Sequence, residues 1–288
     1  MDIKFSINSD LIDNTQLIRL CILDKNGNYI FNFITNNGDL GSEQWFDWVG
    51  DFSEGFALVK LNDEYNFINK DCKLISDQWF DWVENFSDGF ARVKLNDKHN
   101  FINTKGELIS DQWFDWIGCL DNGFASVELN DKWNFINPES KLISDQWFDW
   151  VSNFNNEFAA VKLNDKWNFL NSNGKLIYEQ WFDDIGLFTY SLSWVLFNGK
   201  YNFINTDGEI ISDQWFDEVC DFDNGFAKVK LNDKWNIINE DGKIISNQWF
   251  DWVGNFFDDF AKVELNDKWS FINKKGEIFK LNNKKIKN

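Results

Sequence analysis

Few side chains in this sequence are able to do covalent or metal chemistry. A single histidine, His99, stands among 288 residues, which leaves no room for a Ser-His-Asp triad, a two-histidine zinc motif or a histidine relay repeated along the chain. Four cysteines, Cys21, Cys72, Cys119 and Cys220, form no CxxC pair. They signal neither a zinc site nor a disulfide framework, and read as free thiols of a reducing compartment. Carboxylates are abundant instead, with 47 Asp and Glu against 28 Lys and Arg and a formal net charge of −19. Paired carboxylates do the acid and base work of glycosidases. Here the acids recur at a fixed spacing, whereas an active site is a single asymmetric constellation, so a protein without enzymatic activity, cofactor or resident metal is expected. Charge of this sign repels phosphate backbones, which argues against nucleic acid and for a basic protein or a cation as partner.

Aromatic side chains are the second chemical resource, with 17 Trp, 31 Phe and 5 Tyr. Gln-Trp-Phe-Asp recurs with its Trp at 45, 79, 113, 147, 181, 215 and 249, 34 residues apart each time. Three residues beyond that Trp lies a second column, Trp48, Trp82, Trp116, Trp150 and Trp252, which becomes Asp184 and Glu218 in two repeats. Exposed indoles at regular spacing would make a platform for sugar rings, with avidity from repetition; packing of repeat against repeat is the simpler reading. The carboxylates in the column keep the platform reading open. The Trp of Gln-Trp-Phe-Asp is assigned to packing. The Asp of that motif, Asp47 and its counterparts through Asp251, offers the oxygen ligand that calcium takes, but no Asp-x-Asp-x-Asp-Gly loop supports a site. A hydrogen bond to turn amides is the preferred role. The repeat is broken once, over residues 183–194, where Ser-Leu-Ser replaces Gly-Phe-Ala and a new aromatic, Trp194, appears; a unique site would lie there.

The elements that hold these residues read as strands, although a period of 34 also suits helical repeats. Ala91, Val93 and Leu95 alternate with Arg92, Lys94 and Asn96, the period-2 pattern of a half-buried strand. Asn96-Asp97 supplies a turn, residues 98–103 a second strand, and Asn198-Gly199 is a strong hairpin signal. Asn103-Thr104-Lys105-Gly106 fits a turn, and its Asn recurs at 69, 137, 171, 205, 239 and 273. A short third strand is predicted over residues 107–110. Pro138, the one proline, falls in a turn. Stepping back 34 residues from Trp45 reaches Asp10-Leu11-Ile12-Asp13, a degraded copy.

In register, Gly123-Phe124-Ala125-x-Val127, Lys132-Trp133-x-Phe135-Ile136-Asn137, Lys141-Leu142-Ile143 and Trp147-Phe148-Asp149 resemble the bacterial WG, or KWG, repeat. The resemblance covers nearly the whole chain and implies a tandem β-repeat that serves as an interaction module. The glycine that gives the family its name is Asn134, Asn168, Asn236 or Ser270 here, and its Trp is Tyr65, His99 or Tyr201 in other repeats. Asn tolerates the left-handed region, so the same backbone is expected.

The fold expected is all-β: a tandem array of eight units of about 34 residues, built of short antiparallel strands. An open β-solenoid is favoured over a closed eight-bladed propeller, because the first unit has lost its Trp. One repeat domain spans residues 1–282, its first unit, about 11–44, being degenerate, and a basic tail follows at 283–288. The expected function is a non-enzymatic scaffold for protein–protein interaction through an acidic surface. The alternatives are a carbohydrate or cell-envelope binding module using Trp48, Trp82, Trp116, Trp150, Trp252 and Trp194, and a calcium-stabilised scaffold. The N-terminus has no long apolar run and nowhere do about 18 apolar residues run together, so no membrane span and a cytoplasmic location are expected.

Overall fold

A computed structural model describes residues 17–35, 37–139, 141–155, 157–188 and 191–280. The degraded copy at residues 10–13 and the basic tail at 283–288 lie outside them. All of the described regular elements are strands, and the array is an all-β succession of small antiparallel sheets, none closed into a barrel. It divides into two compact halves, Met1–Trp147 and Phe148–Asn288.

The repeat around Trp79 shows how the pattern becomes structure. An edge strand, Trp82–Val83, a middle strand, Phe90–Leu95, and a return strand, Lys98–Asn103, lie side by side in that order. Asn96 and Asp97 both take left-handed backbone, at φ of 49° and 61°, the geometry whose twist matches a two-residue hairpin. That hairpin places Ala91 opposite Ile102 and Val93 opposite Asn100. All four are buried, as the alternation of the middle strand requires. At the far end, Asn103 Oδ1 accepts from the N–H groups of Lys105 and Glu107 at 2.9 and 3.0 Å, and Gly106 closes the turn at φ 81°.

The third strand predicted over residues 107–110 does not form a ladder. Leu108 makes a single bridge to Ile102, the chain bulges away, and Phe114 rejoins the same return strand at His99. The segment then crosses to the next sheet. Asp115 N–H donates to the Glu128 carbonyl at 2.8 Å, and Trp116–Ile117 pair with the next middle strand. One stretch of chain thus belongs to two sheets and ties consecutive repeats together. Among the described residues only the last repeat completes the extra strand, as Ile278–Lys280.

Packing repeats with the same period. The Phe of Gln-Trp-Phe-Asp, Phe46 through Phe250, is at most 1% exposed in all seven repeats. Phe67, on the opposite face of its return strand from Asn66 and Ile68, sits in the core of the following repeat with Phe80, Val83 and Val93. Trp79, Trp113 and Trp147 pack in turn on the core of the repeat before their own. Each core is therefore built from consecutive repeats, which is the cohesion of a solenoid-like array. The first described repeat is a two-stranded sheet, Leu17–Leu23 with Tyr29–Thr35.

Candidate functional site

In the second Trp column, residues directly opposite across a sheet share a face, and every complete repeat carries a row of three. Trp48, Lys60 and Tyr65 form one such row; Trp150, Lys162 and Trp167 another; Trp252, Glu264 and Trp269 a third. The five column indoles are 40–44% exposed. Three of them contact an aromatic ring of their own sheet. Trp116, Trp150 and Trp252 meet the rings of Trp133, Trp167 and Trp269 edge to face at 5.4–5.6 Å. Trp48, Trp116 and Trp252 lie over Gly50, Gly118 and Gly254, where a Cβ would come within 3.2 Å of the indole. Lys60 and Lys162 lie over the rings of Tyr65 and Trp167 at 5.5 and 5.4 Å. The indoles are thus offered to solvent by one flank, with the rest engaged.

His99 takes the place of Trp133 in its row. Burial, with Lys94 and Arg92 nearby, pushes its pKa below the ordinary value, which suits a packing ring.

The Asp of the motif performs the structural task expected of it. In all seven repeats its Oδ2 accepts the N–H of the hairpin Asn, from Asn62 to Asn266, at 2.6–2.8 Å. Asp115, Asp183, Asp217 and Asp251 also take the ammonium of the preceding repeat's Lys98, Lys166, Lys200 and Lys234. These lysines, followed by the turn amide, hold the four carboxyls below the usual pKa. Among the described residues no group of three or more His, Cys, Asp or Glu is arranged to hold a metal ion.

The Asn column after the row aromatic has a role that sequence reasoning missed. Left-handed backbone is not the reason for Asn134, Asn168 and Asn236: none has a positive φ, and each lies within a strand. The side chain is fully buried, and it clamps the bulge. Asn66 Nδ2 donates to the carbonyls of Ser76 and Gln78 at 2.9 and 3.0 Å, while its Oδ1 accepts from Phe67 N–H at 2.7 Å. Asn32, Asn100, Asn134, Asn168, Asn202 and Asn236 repeat the arrangement. The signal in the sequence was the Gln twelve residues on, with Ser two before it in six of the seven repeats and Tyr178 in the other. Where Ser270 stands instead, the straight strand Ile278–Lys280 replaces the bulge.

At the broken repeat, Trp194 stands on the middle strand Leu192–Phe197 and its indole covers Gly186. Its ring meets Tyr201 edge to face at 5.8 Å. Trp194 and Tyr201 form one wall of an open cleft of about 460 Å³, and Glu218, Val219, Cys220 and Asp221 of the following repeat line the rest. Trp194 is thus brought beside carboxylates and not into line with the other five indoles.

A family profile described as a WG containing repeat matches residues 46–65, 67–98, 101–133, 135–167, 169–201, 203–235 and 237–269. The chain belongs to the WG repeat family. Its WG repeats match none of the curated proteins. Among solved structures, Hsv2p of Kluyveromyces lactis is 11% identical over 78% of this chain and 92% of that one, with a TM-score of 0.30. PorZ, a surface component of the type-IX secretion system of Porphyromonas gingivalis, is 9% identical over 81% of this chain and 38% of that one, at 0.29. A eukaryotic initiation factor is 12% identical over 92% and 86%, at 0.35. Scores this low carry nothing over to the WG array. Among the described residues no helix is long and apolar enough to cross a membrane.

Proposed function

We propose that this WG repeat array is a non-enzymatic scaffold on which basic proteins dock through an acidic surface. The observation that carries the reading is a row of carboxylates on the hairpin tips. Asp63, Asp97, Asp165 and Asp233 have side chains 94–97% exposed, each at the same turn of its repeat. Lys60, Lys94, Lys162 and Lys230 reach them at 2.8–3.8 Å, but the chain as a whole keeps its charge of −19. A tip carboxylate repeated within each half favours a partner with spaced cations, and repetition multiplies weak contacts.

The test is retention of a small basic protein on the immobilised chain as sodium chloride is raised. Binding is expected to fall steeply above about 0.15 M, where the Debye length is about 8 Å; retention independent of salt would overturn the reading. A second reading, carbohydrate binding, is favoured by the 40–44% exposure of Trp48, Trp82, Trp116, Trp150 and Trp252. It requires retention on a polysaccharide matrix that salt leaves unchanged.

A further inference from the structure

We propose that the cleft between Trp194 and Asp221 is a binding site for an arginine side chain supplied by a basic polypeptide, an inference that rests on the docking function above and locates it. The chain itself shows the occupant. It contains two arginines, Arg19 and Arg92, and both occupy the place in their own repeats that Trp194 occupies in its repeat. Arg19 lies opposite Phe33, Arg92 opposite Phe101 and Trp194 opposite Phe203. From there each guanidinium reaches the following repeat. Arg19 pairs with Asp51, the counterpart of Asp221. Arg92 donates to the carbonyl of Ile117, the counterpart of Val219, at 3.2 Å, and pairs with Glu84.

The same place holds Leu58, Ser126, Ala160, Lys228 and Lys262 in other repeats. At the Trp194 junction an indole stands there, with Tyr201 beside it, while Asp221 remains exposed and makes no ion pair among the described residues. An indole flank beside a carboxylate suits a planar guanidinium, which stacks on aromatic rings and offers a fork of donors, better than it suits an ammonium. Two lysines flank the cleft. Lys228 lies across the strand pair from Cys220, whose N–H donates to its carbonyl at 2.9 Å. Lys230 holds Glu218 at 2.7 Å but also stands 3.8 Å from Asp233, so it has a second acceptor when an arriving arginine takes Glu218.

The test is fluorescence anisotropy of a rhodamine-labelled tri-arginine peptide with the full chain, beside tri-lysine and tri-citrulline peptides. Trp194→Arg supplies the internal guanidinium that the Arg19 and Arg92 junctions carry, and Asp221→Asn removes the acceptor without touching the ring. Each is expected to weaken tri-arginine binding about tenfold, equivalent to about 1.4 kcal/mol. Trp194→Arg is expected to melt no lower than the natural chain, and tri-lysine to bind several-fold more weakly than tri-arginine. If both variants bind tri-arginine as tightly as the natural chain, the peptide is held by diffuse surface charge: the cleft is overturned and the docking function stands. The same conclusion follows if a basic protein binds and tri-arginine does not. Loss of both the peptide and the basic protein overturns the docking function itself.

Discussion

Asn66 and its counterparts do the most per residue to define the repeat. A buried amide that serves two carbonyls leaves both of them orphaned when removed, and a buried unsatisfied polar group costs about 1–3 kcal/mol. Asn66→Ala is therefore expected to lower stability by about that amount in urea unfolding, with loss of amide-exchange protection concentrated over residues 74–80. A second residue-scale device is an exchange between two positions. At Gly106, Gly208, Gly242 and Gly276 a Cβ would collide with the carbonyl of Ile75, Ile177, Ile211 and Ile245 in the preceding repeat. At the first junction the pair is reversed: Cys72 takes the left-handed position at φ 55°, and its Sγ fills the space over Gly41. Burial pushes the Cys72 thiol above its ordinary pKa, which makes it a packing group. Gly41→Ile is expected to destabilise the chain, and Cys72→Gly in the same chain to rescue it. A thermal-melt cycle should show coupling of about 1–3 kcal/mol, and additive effects would refute the exchange.

Four hairpins are held to the preceding repeat by a carboxylate, Asp115, Asp183, Asp217 or Asp251, that takes the turn amide on one side and the preceding repeat's lysine on the other. The folded pKa of Asp115, Asp183, Asp217 and Asp251 lies below the ordinary carboxylate value. Their contribution is thus present above the unfolded pKa, about 4, and is lost as pH falls through the folded one. Melting temperature is expected to drop below about pH 4. Substituting Lys98, Lys166, Lys200 and Lys234 by Gln should shrink that drop, since the lysine is the largest cause of each shift. An undiminished drop would place the acid sensitivity elsewhere.

For the whole molecule, six of 17 indoles are exposed, Trp48, Trp82, Trp116, Trp150, Trp252 and Trp269, and the rest are half-buried. Acrylamide, which the negative charge does not repel, is expected to quench about a third of the emission readily, with the remainder blue-shifted and resistant. Uniform resistance would mean that the outer rows are covered in solution. The accessible fraction reports the same flank on which the carbohydrate reading depends, so glycan titration of that fraction separates the two functions at once.

The sequence by itself determined the all-β class, the 34-residue period, the hairpins and the structural use of the motif Asp. These are local matters: period-2 alternation selects a strand, and Asn-Asp or Asn-Gly selects the tight turn that joins two of them. It did not disclose the bulge at residues 110–113, the buried Asn clamp or the strand segment shared between sheets, because each depends on which carbonyls a neighbouring segment brings within reach. It assigned the Trp79 column to packing, as the cores show, but left the Trp48 column open, since the exposure of an indole flank depends on what the neighbouring strands bring beside it. The cleft at Trp194 was visible only as an irregularity. Tertiary structure alone placed Arg19, Arg92 and Trp194 at equivalent positions, because the longer first hairpin shifts Arg19 out of the 34-residue register while strand pairing restores it.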